Sequence, residues 1–110
     1  MGITKTDIYT ADQNEIATIA KVLGHPARIA IIQHLIKVNT CICGDLVSEI
    51  GLAQPTISQH LKELKKTGII KGNVKGTSVC YCLDQSVIQK LEGLFVSLFS
   101  AMRNKTGNCC

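Results

Sequence analysis

Two short helical patterns separated by a tight turn constrain the fold of this chain more than any other feature. Residues 46–50 place apolar side chains at helical spacing, and Gly51 follows them as a typical helix end. Pro55, a residue favoured in the first turn of a helix, begins a second pattern that Gly68 ends. Its apolar residues are Ile57, Leu61 and Leu64. The sequence therefore predicts a helix-turn-helix whose second helix has one buried face and one polar face.

The polar face of that second helix is basic. Between residues 62 and 75 the chain carries five lysines against Glu63, a local charge of +4, which equals the net charge of the whole chain. The lysines are Lys62, Lys65, Lys66, Lys71 and Lys75. Because the remaining residues sum to zero, this segment is typical of a surface that binds a polyanion. A lysine-rich face that contacts only solvent is the alternative.

Two further helices are predicted before this unit. Thr10 and Gln13 can form a capping box at the start of the first helix, and Gly24 ends it. Pro26 begins the second helix, which is expected to run to about Val38. The apolar face of the second helix is predicted to consist of Ile29, Ile32, Leu35 and Ile36.

A β-hairpin and a closing helix are predicted after it. Residues 69–83 read as two strands around a turn near Lys75 and Gly76, because Val79, Tyr81 and Leu83 alternate along the second strand. Residues 85–103 then form a helix with an unusually wide apolar stripe. The stripe contains Val87, Ile88, Leu91, Leu94, Phe95, Leu98, Phe99 and Met102. Such a stripe exceeds what a small monomer needs and favours a partner helix.

The length, apolar content and cysteine spacing of the chain narrow the class of protein. A length of 110 residues predicts one domain over residues 1–110, with flexible ends at 1–9 and 104–110. No apolar run approaches the ~20 residues of a membrane span, and no signal peptide is evident, so we expect a cytoplasmic protein without a membrane partner. The six cysteines form three local couples, which indicates ligand or redox chemistry rather than a disulfide framework. They are Cys41 with Cys43, Cys80 with Cys82, and Cys109 with Cys110.

The order of these elements is that of a winged helix-turn-helix dimer. The stretches "LGHPARIAIIQHL", "CICGDLVSEIGLAQPTISQHLKELKKTGII" and "KGTSVCYCL" resemble the ArsR/SmtB family of metalloregulatory repressors over roughly residues 15–100. The resemblance implies a mainly α fold with a two-stranded β-hairpin and a homodimer formed through the terminal helices. It also implies a repressor that occupies double-stranded operator DNA until a metal ion, metalloid or oxidant binds.

The helix-turn-helix assigns candidate DNA-binding residues. Side chains early in the recognition helix reach base edges, whereas later lysines and the hairpin meet phosphates, so affinity should fall steeply with salt. The candidates for reading bases are Gln54, Thr56, Ser58 and Gln59, which are short or amide side chains. The candidates for phosphate contact are the five lysines. His60 is kept among the candidates, although its position beside the apolar stripe favours a half-buried structural role.

Cys41 and Cys43 lie just before the helix-turn-helix. Residues two apart point about 200° apart on a helix, so both thiols can share one ligand only where the backbone is extended or just starting a helix. Gly44 and Asp45 permit such a start, and a thiol near a helix N-terminus has a lowered pKa. Thiolates prefer soft ions. Two small residues packing beside Leu46 are the alternative.

The choice of ion depends on the family resemblance. Zinc-sensing relatives place Asp and His ligands on the closing helix, which here contains no histidine. Three thiolates suit trivalent arsenic or antimony, so we expect one of these as inducer, with no permanent cofactor. The expected ligands are Cys41, Cys43 and a tail cysteine, Cys109 or Cys110, from the same or the partner chain. A frayed tail with incidental thiols is the alternative.

One departure from the family bears on the third ligand. In the better-known arsenic-sensing pattern the second cysteine directly precedes an Asp-Leu pair and a third cysteine follows it. Here Gly44 intervenes, and Leu46 and Val47 occupy the following positions. The third thiolate therefore cannot be carried over from the family, which is why the tail is considered.

Several alternatives remain open from the sequence. A thiol redox or persulfide sensor of the same fold, or a cadmium or lead sensor, would use the same thiols. Cys80 and Cys82 are expected to be half-exposed strand residues on the hairpin face opposite Tyr81. An enzyme is not expected, because no signature assembles a nucleophile with a base. A pure protein-interaction module would show no salt-dependent DNA binding.

Overall fold

The computed structural model describes residues 8–38, 49–76 and 78–105. The elements in chain order are α1 (Ala11–Leu23), α2 (Pro26–Val38), α3 (Gln54–Thr67), β1 (Ile70–Lys75), β2 (Ser78–Leu83) and α4 (Gln85–Asn104). This order confirms the predicted mainly α winged helix-turn-helix with a two-stranded hairpin. Of the predicted first helix of the helix-turn-helix, residues 49 and 50 are described and are helical.

Capping residues set the helix ends where the sequence predicts them. Thr10 Oγ1 accepts a hydrogen bond from the Gln13 backbone N–H (3.0 Å), and Gln13 Oε1 accepts one from the Thr10 N–H (2.9 Å). This is the predicted capping box. Gly51 and Gly68 have φ of 83° and 85°, the left-handed conformation that favours glycine and ends a helix. The turn within the helix-turn-helix and the end of α3 are therefore both fixed by glycine.

The hairpin follows directly from the end of α3. Strands β1 and β2 pair antiparallel, with Ile70 opposite Leu83 and Lys75 opposite Ser78, and Gly76 (φ 63°) lies in the turn. At the base of the hairpin the Asp84 N–H donates to the Ile69 carbonyl (2.8 Å). The hairpin is thus anchored at its base.

Asp84 also begins α4 as its N-cap. Its Oδ1 accepts hydrogen bonds from the backbone N–H groups of Ser86 (3.2 Å) and Val87 (3.4 Å) and from the Ser86 hydroxyl (2.8 Å). These bonds lower the pKa of the Asp84 carboxyl, the Ser86 side chain being the largest cause. The sequence reading did not assign this cap.

The core lies where the helices meet the base of the hairpin. The buried cluster consists of Ile19, Ile31, Leu35, Ile57, Leu61, Leu64, Ile69, Ile70 and Leu91. The predicted face of α2 was partly wrong, because Ile31 is fully buried whereas Ile29 and Ile36 are exposed at 38% and 59%. Helix α2 is apolar on most sides, so its periodicity does not single out a face. Its contacts with α1, α3 and β2 decide which residues are buried.

The apolar stripe of α4 is divided along its length. Leu91 is 6% exposed and belongs to the core, whereas Val96, Phe99 and Met102 are more than half exposed. None of the helices in the described ranges is both long enough and apolar enough to span a membrane. The predicted flexible ends remain a prediction, since residues 1–7 and 106–110 lie outside the described residues.

Candidate nucleic-acid interface

The first turns of α3 expose the side chains predicted to read bases. Gln54, Thr56, Ser58 and Gln59 are all exposed. Between them Ile57 is buried at 1% and, with Leu61 and Leu64, holds the helix against the core. No acidic residue lies in the first turn, and no side chain caps the helix at Ala53. The positive end of the helix dipole therefore lies beside these polar groups, where it favours an anionic ligand.

The two glutamines are held on this outer surface by exposed hydrogen bonds within the helix. Gln54 Nε2 donates to Ser58 Oγ (3.1 Å), and Gln59 Nε2 donates to Glu63 Oε2 (3.2 Å). Exposed contacts of this kind contribute little net stability, so both amides can exchange these partners for base edges.

The lysines of α3 continue the same surface. Lys62, Lys65 and Lys66 are exposed. Lys66 Nζ lies 3.2 Å from Glu63 Oε2, and hydrogen bonding to Lys66 is the main cause of the lowered pKa of Glu63. Among the described residues the other salt bridge joins Lys90 to Glu15. Lys62 and Lys65 therefore keep their charges for a ligand.

The hairpin adds further lysines next to α3. Lys71 is exposed on β1, and a Cβ placed on Gly72 would lie 3.5 Å from Lys65 Nζ, so the end of α3 and the hairpin are adjacent. The backbone of Lys75 ends β1 opposite Ser78, and its side chain lies outside the description. The structure thus brings Lys65, near the end of α3, beside β1 of the hairpin.

His60 connects α3 to the two preceding helices. Its Nδ1 accepts a hydrogen bond from Arg28 Nε (3.0 Å), and Arg28 Nη1 donates to the Val22 carbonyl (3.0 Å). The His25 ring lies 5.4 Å from the His60 ring, measured between centroids. Burial, followed by the nearby charges of Arg28 and His25, lowers the pKa of His60. These contacts support a structural role, in which neutral His60 helps to position α3.

Sequence reasoning missed Arg28 and His25 as members of this cluster. Both flank Pro26 in the stretch "GHPAR", where the three-residue spacing places their side chains on the same side of one helical turn. The spacing was a usable signal. What it lacked was the partner, since His60 lies 32 residues from Arg28 in the sequence.

The cysteines predicted as ligands belong to segments other than those the structure describes. Cys41, Cys43, Cys109 and Cys110 lie outside the described residues. Within the described ranges, no group of three or more His, Cys, Asp or Glu side chains could hold a metal ion. The ligand assignment therefore stays a prediction.

One of the two hairpin cysteines differs from its prediction. Cys80 is 1% exposed, so the half-exposed assignment was wrong for this residue, whereas Cys82 is half-buried. Both are disulfide-bonded. Strand alternation predicted the face on which Cys80 lies but not what covers that face.

Comparison with known proteins agrees with a winged helix-turn-helix regulator. Residues 25–71 match the family described as "Bacterial regulatory protein, arsR family". The biofilm growth-associated repressor of Xylella fastidiosa (strain Temecula1) is 30% identical over 86 residues, which cover 78% of this chain and 75% of that protein. The arsenical resistance operon repressor of Staphylococcus xylosus is 32% identical over 74 residues, covering 67% and 70%.

A solved structure extends the match to nearly the whole fold. The crystal structure of the transcriptional repressor BigR from Xylella fastidiosa has a TM-score of 0.61 at 30% identity, covering 94% of this chain and 100% of that chain. These matches agree with the exposed polar surface of α3 and the basic hairpin beside it, and together they identify the family. The chain belongs to the arsR family of bacterial regulatory proteins and is a DNA-binding transcriptional repressor of that family, not an enzyme.

Proposed function

We propose that the protein is a cytoplasmic homodimer that leaves its operator when trivalent arsenic or antimony binds cysteine thiolates. The observation that carries this proposal is the position of Cys41 and Cys43 directly before the helix-turn-helix that presents α3. The similarity to the arsenical resistance operon repressor of Staphylococcus xylosus supports the choice of inducer. Cys109 or Cys110 supplies the third thiolate, because the two remaining cysteines, Cys80 and Cys82, belong to the hairpin.

The DNA contacts divide by chemistry. Gln54, Thr56, Ser58 and Gln59 read base edges from the first turns of α3. Lys62, Lys65 and Lys66 contact phosphates, together with Lys71 and Lys75 of the hairpin. This division is supported by the burial of Ile57, which turns the polar residues around it outward.

The dimer forms through the far half of α4. Val96, Phe99 and Met102 are exposed there, on the helix that resembles the dimer element of the family. A second copy of the chain would bury these side chains, at about 25 cal/mol for each Å² of apolar surface removed from water.

Release follows from differential affinity for two states of the dimer. The metalloid must bind the form that does not hold DNA more tightly than the form that does, and the ratio of affinities limits the shift. Because Cys41 and Cys43 directly precede the first helix of the helix-turn-helix, drawing their sulfurs together alters the position of that helix relative to α3. By linkage, operator DNA weakens metalloid binding by the same factor.

Operator binding measured by fluorescence anisotropy tests this proposal. Arsenite, zinc, cadmium and peroxide are added separately to the wild type, to Cys41→Ser, to Cys43→Ser and to a chain truncated before Cys109. Arsenite should release the wild type but none of the three variants. All are tested fully reduced, and Cys82→Ser is the matched control, since it replaces one cysteine outside the proposed ligand set and should still respond to arsenite.

Two results would contradict the proposal. The first is an arsenite response that survives in both Cys41→Ser and Cys43→Ser. The second is equal affinity for arsenite with and without operator DNA, since linkage then excludes coupling between the two ligands.

A further inference from the structure

Arg28 joins three helices through one side chain. It is the third residue of α2, its Nη1 donates to the Val22 carbonyl of α1 (3.0 Å), and its Nε donates to Nδ1 of His60 on α3 (3.0 Å). Val22 lies in the last turn of α1, where backbone carbonyls have no partner within the helix. A cation there also meets the negative end of the helix dipole. One N–H group of the guanidinium is therefore held by α1 while another holds α3.

The hydrogen bond to His60 restrains α3 in a way that its apolar contacts do not. Ile57, Leu61 and Leu64 bury the inner face of the helix, and the hydrophobic effect that holds them there is non-directional. A hydrogen bond instead requires its donor and acceptor within about 3.2 Å of each other and near alignment. The contact between Arg28 and His60 therefore adds a restraint on the rotation of α3 about its axis.

Rotation of α3 matters for the side chains proposed to read bases. His60 follows Gln59 directly, so any rotation of the helix moves both side chains together. A helix with its side chains has a radius of about 5–6 Å, and a rotation of about 10° thus shifts a side-chain end by about 1 Å. Such a shift breaks a hydrogen bond to a base edge. The long, flexible lysines can follow a phosphate through the same shift.

We propose that Arg28 is a positioning residue for base reading: through His60 it sets the rotation of α3, and with it the discrimination between operator and random DNA. This role rests on the proposed reading of base edges by the first turns of α3. It requires no contact between Arg28 and DNA. Direct contact of Arg28 with a phosphate is the alternative, since a guanidinium has five N–H groups and the two bonds described above use one each.

The contact exists for only one protonation state of His60. A guanidinium donates and does not accept, so Nδ1 must offer a lone pair and the ring must be neutral, with its proton on Nε2. Burial, followed by the charges of Arg28 and His25, lowers the pKa of His60 and so favours this state. Protonation removes the acceptor and places a second cation beside Arg28. Discrimination should therefore fall as the pH falls through the lowered pKa, below about 6.5.

The charged groups near His60 do not favour its protonation. Among the described residues, no carboxylate forms an ion pair or a hydrogen bond with His60. Glu63 lies one turn further along α3, where its pKa is lowered chiefly by the hydrogen bond from Lys66 and less by the charge of Arg28. The remaining described titratable side chains on the elements packed against α3 do not contribute to the shift of His60. They are Asp12, Glu15 and Lys21 of α1, His34 and Lys37 of α2, and Lys71 of β1.

Paired titrations on operator and random DNA test the role of Arg28. Arg28→Met keeps much of the length of the side chain but removes its charge and its donors. It should lower the ratio of operator to random-DNA affinity by about tenfold, as expected for one lost charge-assisted hydrogen bond, with the salt slope unchanged. Arg103→Met, the same substitution in the last turn of α4, should keep the ratio of the wild type. Circular dichroism checks the folding of each variant.

Two results for Arg28→Met would overturn the role. The first is a ratio equal to that of the wild type. The second is an equal loss on both DNAs together with a salt slope reduced by about one, which would make Arg28 a direct phosphate contact. A fold that is merely weakened lowers the fraction of active protein for both DNAs alike, so it does not change the ratio.

Variants of His60 test whether Arg28 acts through it. His60→Asn keeps an acceptor, Oδ1, at the position of Nδ1 and should retain the ratio of the wild type, whereas His60→Leu has no acceptor and should lower it by about tenfold. Arg28→Met combined with His60→Leu should lose no more than either variant alone, because both remove the same contact. Losses that multiply to about a hundredfold, or equal losses in His60→Asn and His60→Leu, would overturn the role.

The pH profile of the same ratio tests the protonation step. The ratio should fall below about pH 6.5 in the wild type and stay constant in His60→Asn, which retains His25 and His34. Equal profiles in the two proteins would overturn this step. Gln59→Ala, measured alongside, separates failure of the positioning role from failure of the proposed base reading. A ratio lowered in Gln59→Ala but not in Arg28→Met leaves base reading intact and removes Arg28. The reverse result supports Arg28 and removes Gln59.

Discussion

Helices α3 and α4 are both amphipathic, yet they use their two faces in opposite ways. In α3 the apolar residues pack into the core, where Leu64 is fully buried, and the polar face is exposed to solvent. In α4 the apolar stripe enters the core at Leu91 and then continues past it, so that Phe99 is 60% exposed.

The contrast indicates what kind of ligand each exposed face suits. A helix whose apolar face is buried in the core of its own chain exposes charged and hydrogen-bonding side chains, which suit DNA. A helix that leaves apolar residues exposed offers surface that gains stability when covered, which suits a second copy. The same hydrophobic effect thus turns a polar, basic surface of α3 outward and leaves an exposed apolar surface on α4.

The largest expected effect concerns the buried face of α3. Leu64→Ala should lower the free energy of unfolding by about 2–5 kcal/mol, because it leaves a cavity in a closely packed core. Lys62→Ala, on the polar face of the same helix, should change it by no more than about 0.5 kcal/mol. Urea unfolding at one fixed protein concentration measures both. Similar losses in the two variants would mean that the faces of α3 are not divided as described.

The next effect concerns the exposed half of α4. Phe99→Glu should raise the dimer dissociation constant by at least about 30-fold, as expected when a central interface aromatic is replaced by a charge. Ser97→Glu adds the same charge about 200° around the helix and serves as the control. Light scattering coupled to size exclusion over a concentration series measures both. Unchanged association in Phe99→Glu would assign the dimer to another surface.

A smaller effect separates the two parts of the DNA-binding surface. Gln59→Ala should cost about 1–3 kcal/mol on operator DNA and little on random DNA, because it removes a contact to a base edge. Lys65→Ala should weaken both similarly and reduce the slope of log affinity against log salt by about one. Anisotropy titrations on both DNAs at several salt concentrations make the comparison. Equal losses of specific and non-specific binding in Gln59→Ala would remove it from base reading.

The same contrast explains what the sequence could predict. The face of α3 was predicted correctly because its apolar residues form a narrow stripe against charged neighbours, so only one orientation buries them. The face of α2 was not, because Ile29, Ile31 and Ile36 are chemically alike and packing against three other elements decides among them. Periodicity therefore succeeds where the two faces of a helix differ strongly.

Contacts between distant residues lay beyond the sequence for a different reason. Two examples are the hydrogen bond from Arg28 to His60 and the disulfide bonding of Cys80 and Cys82. Both depend on which segments of the chain come together in the folded protein. Local sequence patterns carry no information about such long-range contacts. The alternation of side chains along the hairpin predicted the face on which Cys80 lies. It did not predict the burial of Cys80, which depends on other parts of the chain.

The smallest expected effect tests the residue at the boundary between the two faces of α3. Burial, Arg28 and His25 lower the pKa of His60 below its ordinary value of 6.5. The folded protein therefore binds fewer protons at this site than the unfolded chain, so stability rises with pH in this range. The contribution of neutral His60 is fully present above about pH 6.5 and is lost as the pH falls through the lowered pKa.

His60→Gln should flatten this dependence in the range just below about pH 6.5, because it removes the titrating group. His34→Gln, which replaces a histidine on α2 outside the cluster, should retain the dependence of the wild type. The lowered pKa values of Glu63 and Asp84 act in a more acidic range, since those groups titrate below about pH 4.5, and do not overlap it. Urea unfolding at closely spaced pH values provides the measurement. An unchanged profile in His60→Gln would mean that the Arg28 contact positions α3 without linking its stability to protons.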